Sequence, residues 1–380
     1  MRERIVFANQ LRGVAALSVA CSHLIGVFWL MRPAVSSATF TPAQEGASSP
    51  LAALVSHPWF NYGAFGVALF FLISGLVIPI SLERHTPASF LAARVLRIYP
   101  TYVAALLIEV AVLRANALYW GRPFGYGAWA IVSNCLLIHD FVGQPYIDLV
   151  SWTLCVELRF YLVMALVAGA VRRGSVGVLA ATALAALGVN LAVSAGALGP
   201  PAADPALLSY ALSTESLFIV FMLIGVLFNY HLRGRLGTAA LIAWIGVLGA
   251  LFALCWRASV LAAQFPSLTK NYACALAVFA ALYALRRRVP DSRALDAMAA
   301  ISFPFYLVHS LVGYSALKWF MLALGWGYLE SLAGALAAVV LLATALHKTV
   351  ETSTIQIGKK MALRSPDSLM MGRSADASRR

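Results

Sequence analysis

The sequence predicts an all-α, polytopic integral membrane protein with about ten transmembrane helices, and three observations carry that prediction. The chain has 380 residues, 61% of them hydrophobic and only 11% charged, with a mean hydropathy of +0.82; a soluble domain of this length has too little interior to hide so much apolar side chain. Apolar runs close to the ~20 residues of a bilayer span recur along the whole chain. These runs are continuous rather than alternating with period two, which excludes a transmembrane β-barrel.

The first span runs from about Arg12 to Leu30, and a polar Pro/Ser-rich segment, RPAVSSATFTPAQEGASSP, separates it from the second, YGAFGVALFFLISGLVIPI. The third covers roughly Tyr99 to Leu118, after SLERHTPASFLAARVLRIYP with its Arg84, Arg94 and Arg97. The run AWAIVSNCLLI with its neighbours is too short to cross comfortably, and residues 129–150 read as a re-entrant or interfacial piece. Counting them as a span would put Arg172 and Arg173 outside and invert the charge bias of several loops. The fourth span is then about Trp152 to Val171, and the fifth to tenth lie near 175–195, 211–230, 237–255, 271–285, 298–317 and 325–347. With that count Arg172/Arg173, HLRGR, RRRVPDSR and the Lys/Arg-rich end all fall in the cytoplasm, as the positive-inside rule requires, while GALGPPAADP faces outward nearly free of positive charge. Both termini are expected in the cytoplasm. A single membrane domain is expected over residues 1–360, and residues 361–380, rich in Ser, Arg, Asp and Met, read as a disordered tail. The opening MRERIVFANQ lacks a cleavable signal pattern, so the first helix is expected to stay as a span.

The net charge of +13 lies mostly in these short inter-helix segments, and no basic–aromatic module accompanies it, so nucleic acid is not an expected partner. The five cysteines (Cys21, Cys135, Cys155, Cys255 and Cys274) fall within apolar runs without CxxC or Cys/His spacing, so neither a disulfide framework nor a metal site is expected.

Ionisable residues inside a bilayer are costly and point to function. In QLRGVAALSVACSHL, Arg12 and His23 are eleven residues apart. At ~100° per residue that is three turns plus roughly 20°, which places them on one helix face, about 16 Å apart along the axis. Taken singly, Arg12 is an ordinary snorkelling anchor and His23 an ordinary interhelical hydrogen-bonder; the shared face is what suggests more. RVLR sets Arg94 and Arg97 one turn apart, a spacing that can clamp a phosphate but that positive-inside charge also explains. In SWTLCVELRFYL, Glu157 lies about a turn inside the fourth span toward its outer side, and Arg159 or His23 is the expected partner for so costly a buried carboxylate. In ISFPFYLVHSLV, Ser302, Tyr306 and His309 share a face. Glu109, His139 and Asp140 read as structural or boundary residues.

These segments, in this order, resemble those of the acyltransferase family 3 integral-membrane proteins. The matching pieces are LRGVAALSVACSHL, GVALFFLISGLVI, RVLRIYP, SWTLCVELRFYL and ISFPFYLVHSLV, with a weaker match at LHKTVETSTIQIGKK, where Glu351 stands for the acid of the family's closing Glu-Arg-Pro element. Two departures are visible: Leu158 replaces a frequent second acid, and the closing element lacks its Arg-Pro. The resemblance implies transfer of an acyl group, commonly acetyl, from cytoplasmic acyl-coenzyme A to a hydroxyl of a sugar or glycoconjugate, typically on the far side of a bacterial inner membrane. The acyl-CoA is then a donor substrate, with no permanently bound cofactor and no metal. On that reading His23 and Glu157 are the catalytic residues, the imidazole as general base and the carboxylate orienting it, while Arg12, Arg94, Arg97 and His309 serve the coenzyme. His23 either activates the acceptor for direct attack or carries the acyl group briefly. Segments 32–58 and 140–151 are expected to select the acceptor. The competing class is a transporter or flippase of a lipid-linked or small solute without acyl chemistry; the Arg94/Arg97 pair argues against it, because such a protein has no particular need of a phosphate clamp.

Overall fold

The computed structural model describes residues 5–57, 59–199 and 208–363. Among the described residues there is no β-strand. Helix α1 spans Val6–Leu30 and passes through a π turn at Ser22–Val27. Helix α2 is Tyr62–Leu82, α3 Pro87–Tyr119, α4 Ala128–Cys135 and α5 Ser151–Leu166, the last followed directly by a short helix at Ala168–Arg172. Then come α6 (Val176–Ser194), α7 (Leu208–Leu232), α8 (Thr238–Ala258) and α9 (Leu268–Ala284). Helices α10 (Arg293–Val308) and α11 (Leu311–Lys318) are bent against each other by 72°. Helix α11 runs on through a second π turn at Trp319–Ala323, and helix α12, Tyr328–Leu346, runs through a third, His347–Glu351, into Thr352–Leu363. The starts follow from local chemistry: Asn61, Thr86, Ser175 and Ser292 each accept a hydrogen bond from a backbone N–H of the first turn they precede.

A helix occupies each of the ten expected spans, and not all of them meet the length and composition of a full crossing taken alone. By length and composition seven helices qualify, or eight if the bent pair α10/α11 forms one span. Helix α9 has 17 residues and α5 has 16, the latter ending where the backbone leaves helical geometry at Val167. Residues 129–150 do not cross: α4 has eight residues, about 12 Å of rise, and gives way to irregular backbone. That backbone is tied back by Asn134, which donates to the Pro145 carbonyl (2.9 Å) and accepts from the Ile147 N–H (3.1 Å). The closing helix runs to Leu363, and residues 364–380 of the expected tail lie outside the described residues.

Helix α7 is almost wholly buried and crosses α2 at the molecule's centre. The crossing is a backbone contact. A Cβ added to Gly75 would lie 2.1 Å from the Met222 carbonyl oxygen and 2.8 Å from the Gly225 Cα, so only glycine fits at either place. Helix α5 packs against α2, α3 and α7, which turns one of its faces toward the core between α2 and α3. On the periphery, α6 and α8 expose Leu184, Leu191, Ile242, Val247 and Leu254, apolar faces that lipid would solvate.

Candidate active site

A cavity of about 550 Å³ opens between α1, α2, α3, α5, α10 and the end of α12. Its charged lining is lopsided: Arg12, Arg84, Arg94 and Arg97 face a single acid, Glu157. Along α2 it runs from Val67 to Ser81, roughly 21 Å at the helical rise, so it is a slot rather than a bowl.

Thr86 and Pro87 set the start of α3, and Arg94 and Arg97 follow two turns in, three residues apart and on one side. Arg94 donates to Ser81 Oγ at 2.8 Å, and its guanidinium lies over the rings of Phe90 and Tyr161 at 5.5 and 5.7 Å. Arg12 reaches into the same slot from α1, with Arg97, Glu157 and Glu351 as its charged neighbours. Glu351 is buried in the π turn His347–Glu351 and bonded to His347 Nδ1 at 2.7 Å.

Glu157 finds neither of its expected partners. Its carboxylate accepts from Ser74 Oγ at 3.1 Å and from the Tyr161 hydroxyl. Arg159 cannot join it, because two residues along a helix is about 200° of rotation. Arg159 instead meets both carboxylate oxygens of Asp140 at 3.2 Å and Glu215 at 3.3 Å, clamping segment 136–150 to α5 and α7. Asp140, Cys155 and Glu215 place potential metal-ligand atoms within 4.8 Å of one another, but the Arg159 cation already pairs with both acids. Glu109 and His139 are buried as well. Lower in that segment Asp148 accepts from the N–H groups of Val150 and Ser151, capping α5, while burial pushes its carboxyl up to about 6.

His23 is the second residue of the π turn in α1, so the 3.6-residue period that put it on one face with Arg12 holds only as far as Cys21. Its contact is with His309 rather than Glu157: His309 Nε2 lies 3.1 Å from His23 Nδ1, and the rings stack with centroids 5.0 Å apart. His309 is fully buried, and its Nδ1 sits 2.7 Å from the Tyr306 carbonyl oxygen. Neither imidazole is among the residues lining the basic slot. Tyr306 joins the two regions. It lines the slot, shares a 3.0 Å hydrogen bond with Thr153, packs edge-on against Phe70 and holds its ring 5.6 Å from that of His309.

The structure thus gathers Arg12, Arg94, Arg97 and Glu157 in one place and His23 with His309 in another. Sequence reasoning missed Ser74, Ser81 and Tyr161. Tyr161 carried a usable signal, since it stands one turn after Glu157 in SWTLCVELRFYL. The two serines come from α2, and only the fold brings them there.

A family model described as an acyltransferase domain matches residues 5–348. Nodulation protein 10 of Rhizobium leguminosarum bv. viciae is 32% identical over 147 residues, a stretch covering 33% of this chain and 39% of that protein. The matched stretch is therefore about two fifths of that relative's length. No solved structure matches the chain significantly.

Proposed function

The chain belongs to this acyltransferase family, and from that premise we propose that it moves an acyl group, acetyl in the simplest case, from cytoplasmic acyl-coenzyme A to a hydroxyl of an extracytoplasmic sugar or glycoconjugate. The observation that carries the donor half is the slot with four guanidiniums against one carboxylate. Guanidinium forks match phosphate oxygens bidentately, and a cleft of one sign concentrates a polyanion. Arg94 and Arg97, with Arg12 and Arg84, hold the phosphates, and the slender thioester arm lies along α2. Glu157, fixed by Ser74 and Tyr161, keeps Arg12 and Arg94 in place, a donor-site role and not the support of the imidazole.

At the far end of the slot Tyr306 leads to the two imidazoles. His23 takes the proton of the acceptor hydroxyl, whose oxygen attacks the thioester carbonyl. The C–S bond breaks, and the departing thiolate receives that proton from His23. An alternative order, with the acyl group resting on His23 before the hydroxyl arrives, uses the same atoms. On the acceptor side, Arg32 ties segment 32–48 together through the carbonyls of Gln44 and Gly46 and the Ser48 hydroxyl. Lys318 anchors it at the Pro42 carbonyl. This gives an ordered surface for acceptor selection. The charge bias of the loops supports a bacterial cytoplasmic membrane with both termini inside.

The test is transfer of label from radiolabelled acetyl-CoA to a mixed glycan extract by purified protein in lipid vesicles. Label on glycan from wild type but not from a folded His23→Ala variant supports the reading. Wild type that neither binds nor consumes the thioester would move a transporter of small or lipid-linked solutes ahead of it.

A further inference from the structure

We infer that His309 is a positioning residue that locks His23 in one tautomer, with its proton on Nδ1 and its free lone pair on Nε2, so that Nε2 is the atom that meets the substrate. The inference rests on the proposed acyl transfer for its purpose, but its geometry stands apart from it.

The argument starts at the helix end. The last four carbonyls of a helix have no partner within it. Helix α10 stops at Val308, where the chain bends by 72°, and Tyr306 is among those last four residues. Its carbonyl oxygen lies 2.7 Å from His309 Nδ1. A carbonyl oxygen only accepts, so His309 Nδ1 must carry a proton and donate it. A neutral imidazole has one N–H, which leaves His309 Nε2 bare and able only to accept. The charged alternative would set a cation beside His23 in a fully buried, low-dielectric position.

The next bond then has one direction. His309 Nε2 lies 3.1 Å from His23 Nδ1, and with the former bare, the latter must be the donor. His23, neutral in its turn, keeps its lone pair on Nε2. The chain of donors runs from His23 Nδ1–H to His309 Nε2, and from His309 Nδ1–H to the Tyr306 carbonyl. When His23 Nε2 accepts the proton of the acceptor hydroxyl, the resulting imidazolium still donates through Nδ1 to a neutral acceptor, which stabilises the charge it has just gained. No proton needs to move along the pair, and Nε2 returns its proton to the departing thiolate.

The experiment has a spectroscopic arm and a kinetic arm. The first is 15N NMR of histidine-labelled protein in lipid, with the His23 signals identified by their loss in His23→Gln. Wild type is expected to show His23 protonated on Nδ1, and His309→Leu is expected to lose that preference. The second compares turnover of acetyl-CoA by wild type, His309→Leu and His309→Gln. The Gln carbonyl can take the place of Nε2 as acceptor, so His309→Gln should keep turnover within about tenfold of wild type, with His309→Leu about 100-fold or more below it. A His23 protonated on Nε2 in wild type, or a His309→Leu variant with unchanged turnover and unchanged tautomer, overturns the inference. Absence of turnover in wild type would count against the proposed reaction alone, and the tautomer would still be decided by the spectra.

Discussion

The rings of His23 and His309 lie stacked, 22° from parallel, although 286 residues separate them in the chain. One sits on a π turn and the other at a helix break, two departures from regular geometry that bring the imidazoles together. On the proposed mechanism the first is the proton acceptor. His23→Ala should lower acyl transfer by about 10²–10⁴-fold while leaving the affinity for acetyl-CoA within a factor of three or so, since His23 stands outside the basic slot. Isothermal titration alongside the transfer assay checks both halves; a variant that loses binding and turnover together would make His23 part of the donor site.

On the proposed mechanism Arg94 touches the donor's phosphates and not the reacting atoms. Arg94→Ala should raise the KM for acyl-CoA by roughly tenfold or more, as expected for losing charge-assisted bonds of ~1.5–3 kcal/mol, with kcat little changed. Arg94→Lys should restore only part of the loss, because an ammonium cannot reproduce the fork. Steady-state kinetics read this split, and a fall in kcat at constant KM would contradict the placement.

Arg159 lies between Asp140 and Glu215, whose side chains are almost completely buried. Arg159→Met should destabilise the protein by about 3–5 kcal/mol, because it leaves two buried acids facing each other without a counter-charge. Unfolding in detergent measures it. A loss below about 1 kcal/mol would mean that water reaches the acids.

At Gly225 an added Cβ would come within 2.4 Å of the Leu72 carbonyl oxygen, whereas Gly246 has nothing within 4 Å. Gly225→Ala should therefore cost about 1–3 kcal/mol or prevent folding, and Gly246→Ala should stay within about 0.5 kcal/mol of wild type. Equal melting temperatures for the two would argue that the central helices can separate.

Asp148 supplies a pH dependence. Its folded carboxyl is raised from 3.8 to about 6, with burial as the largest cause. Between those values the folded chain holds a proton that the unfolded chain has released, so this residue's contribution to stability is full below about pH 4 and fades as pH rises through 6. Asp148→Asn keeps an acceptor for the cap but cannot titrate. The stability difference between wild type and variant should fall across that window and level off above it; a difference that grows with pH would reverse the sign.

Much of this architecture was legible beforehand. Arg-x-x-Arg could be read because it is a spacing along one helix, and a helix converts spacing into direction; Arg-x10-His could not, because the π turn at Ser22–Val27 interrupts that conversion before His23. Continuous apolar runs likewise located the ten helical segments, though runs alone could not show that the fourth is interrupted at Val167 or that Leu268–Ala284 has only 17 helical residues. What stayed hidden depends on tertiary contacts. The choice of Ser74 and Tyr161 by Glu157, of Asp140 and Glu215 by Arg159, and of His309 by His23 is made by how helices from distant parts of the chain face one another. The π turn was hidden for another reason: SHLIGV has no residue that forbids an ordinary α-helix, so the widened turn must come from packing.

On the proposed reading, the crowding of Arg12, Arg84, Arg94 and Arg97 around one slot makes the protein's own stability a reporter on its donor. Like charges held together by the fold weaken it, and an anion that settles among them both relieves the repulsion and, by mass action, adds ~2.7 kcal/mol at a hundredfold excess over its Kd. Heating the purified chain against a panel of coenzyme A thioesters, from acetyl to longer and branched acyl groups, would therefore rank them by the temperature at which the protein gives way. The donor can be identified in this way before any acceptor is known.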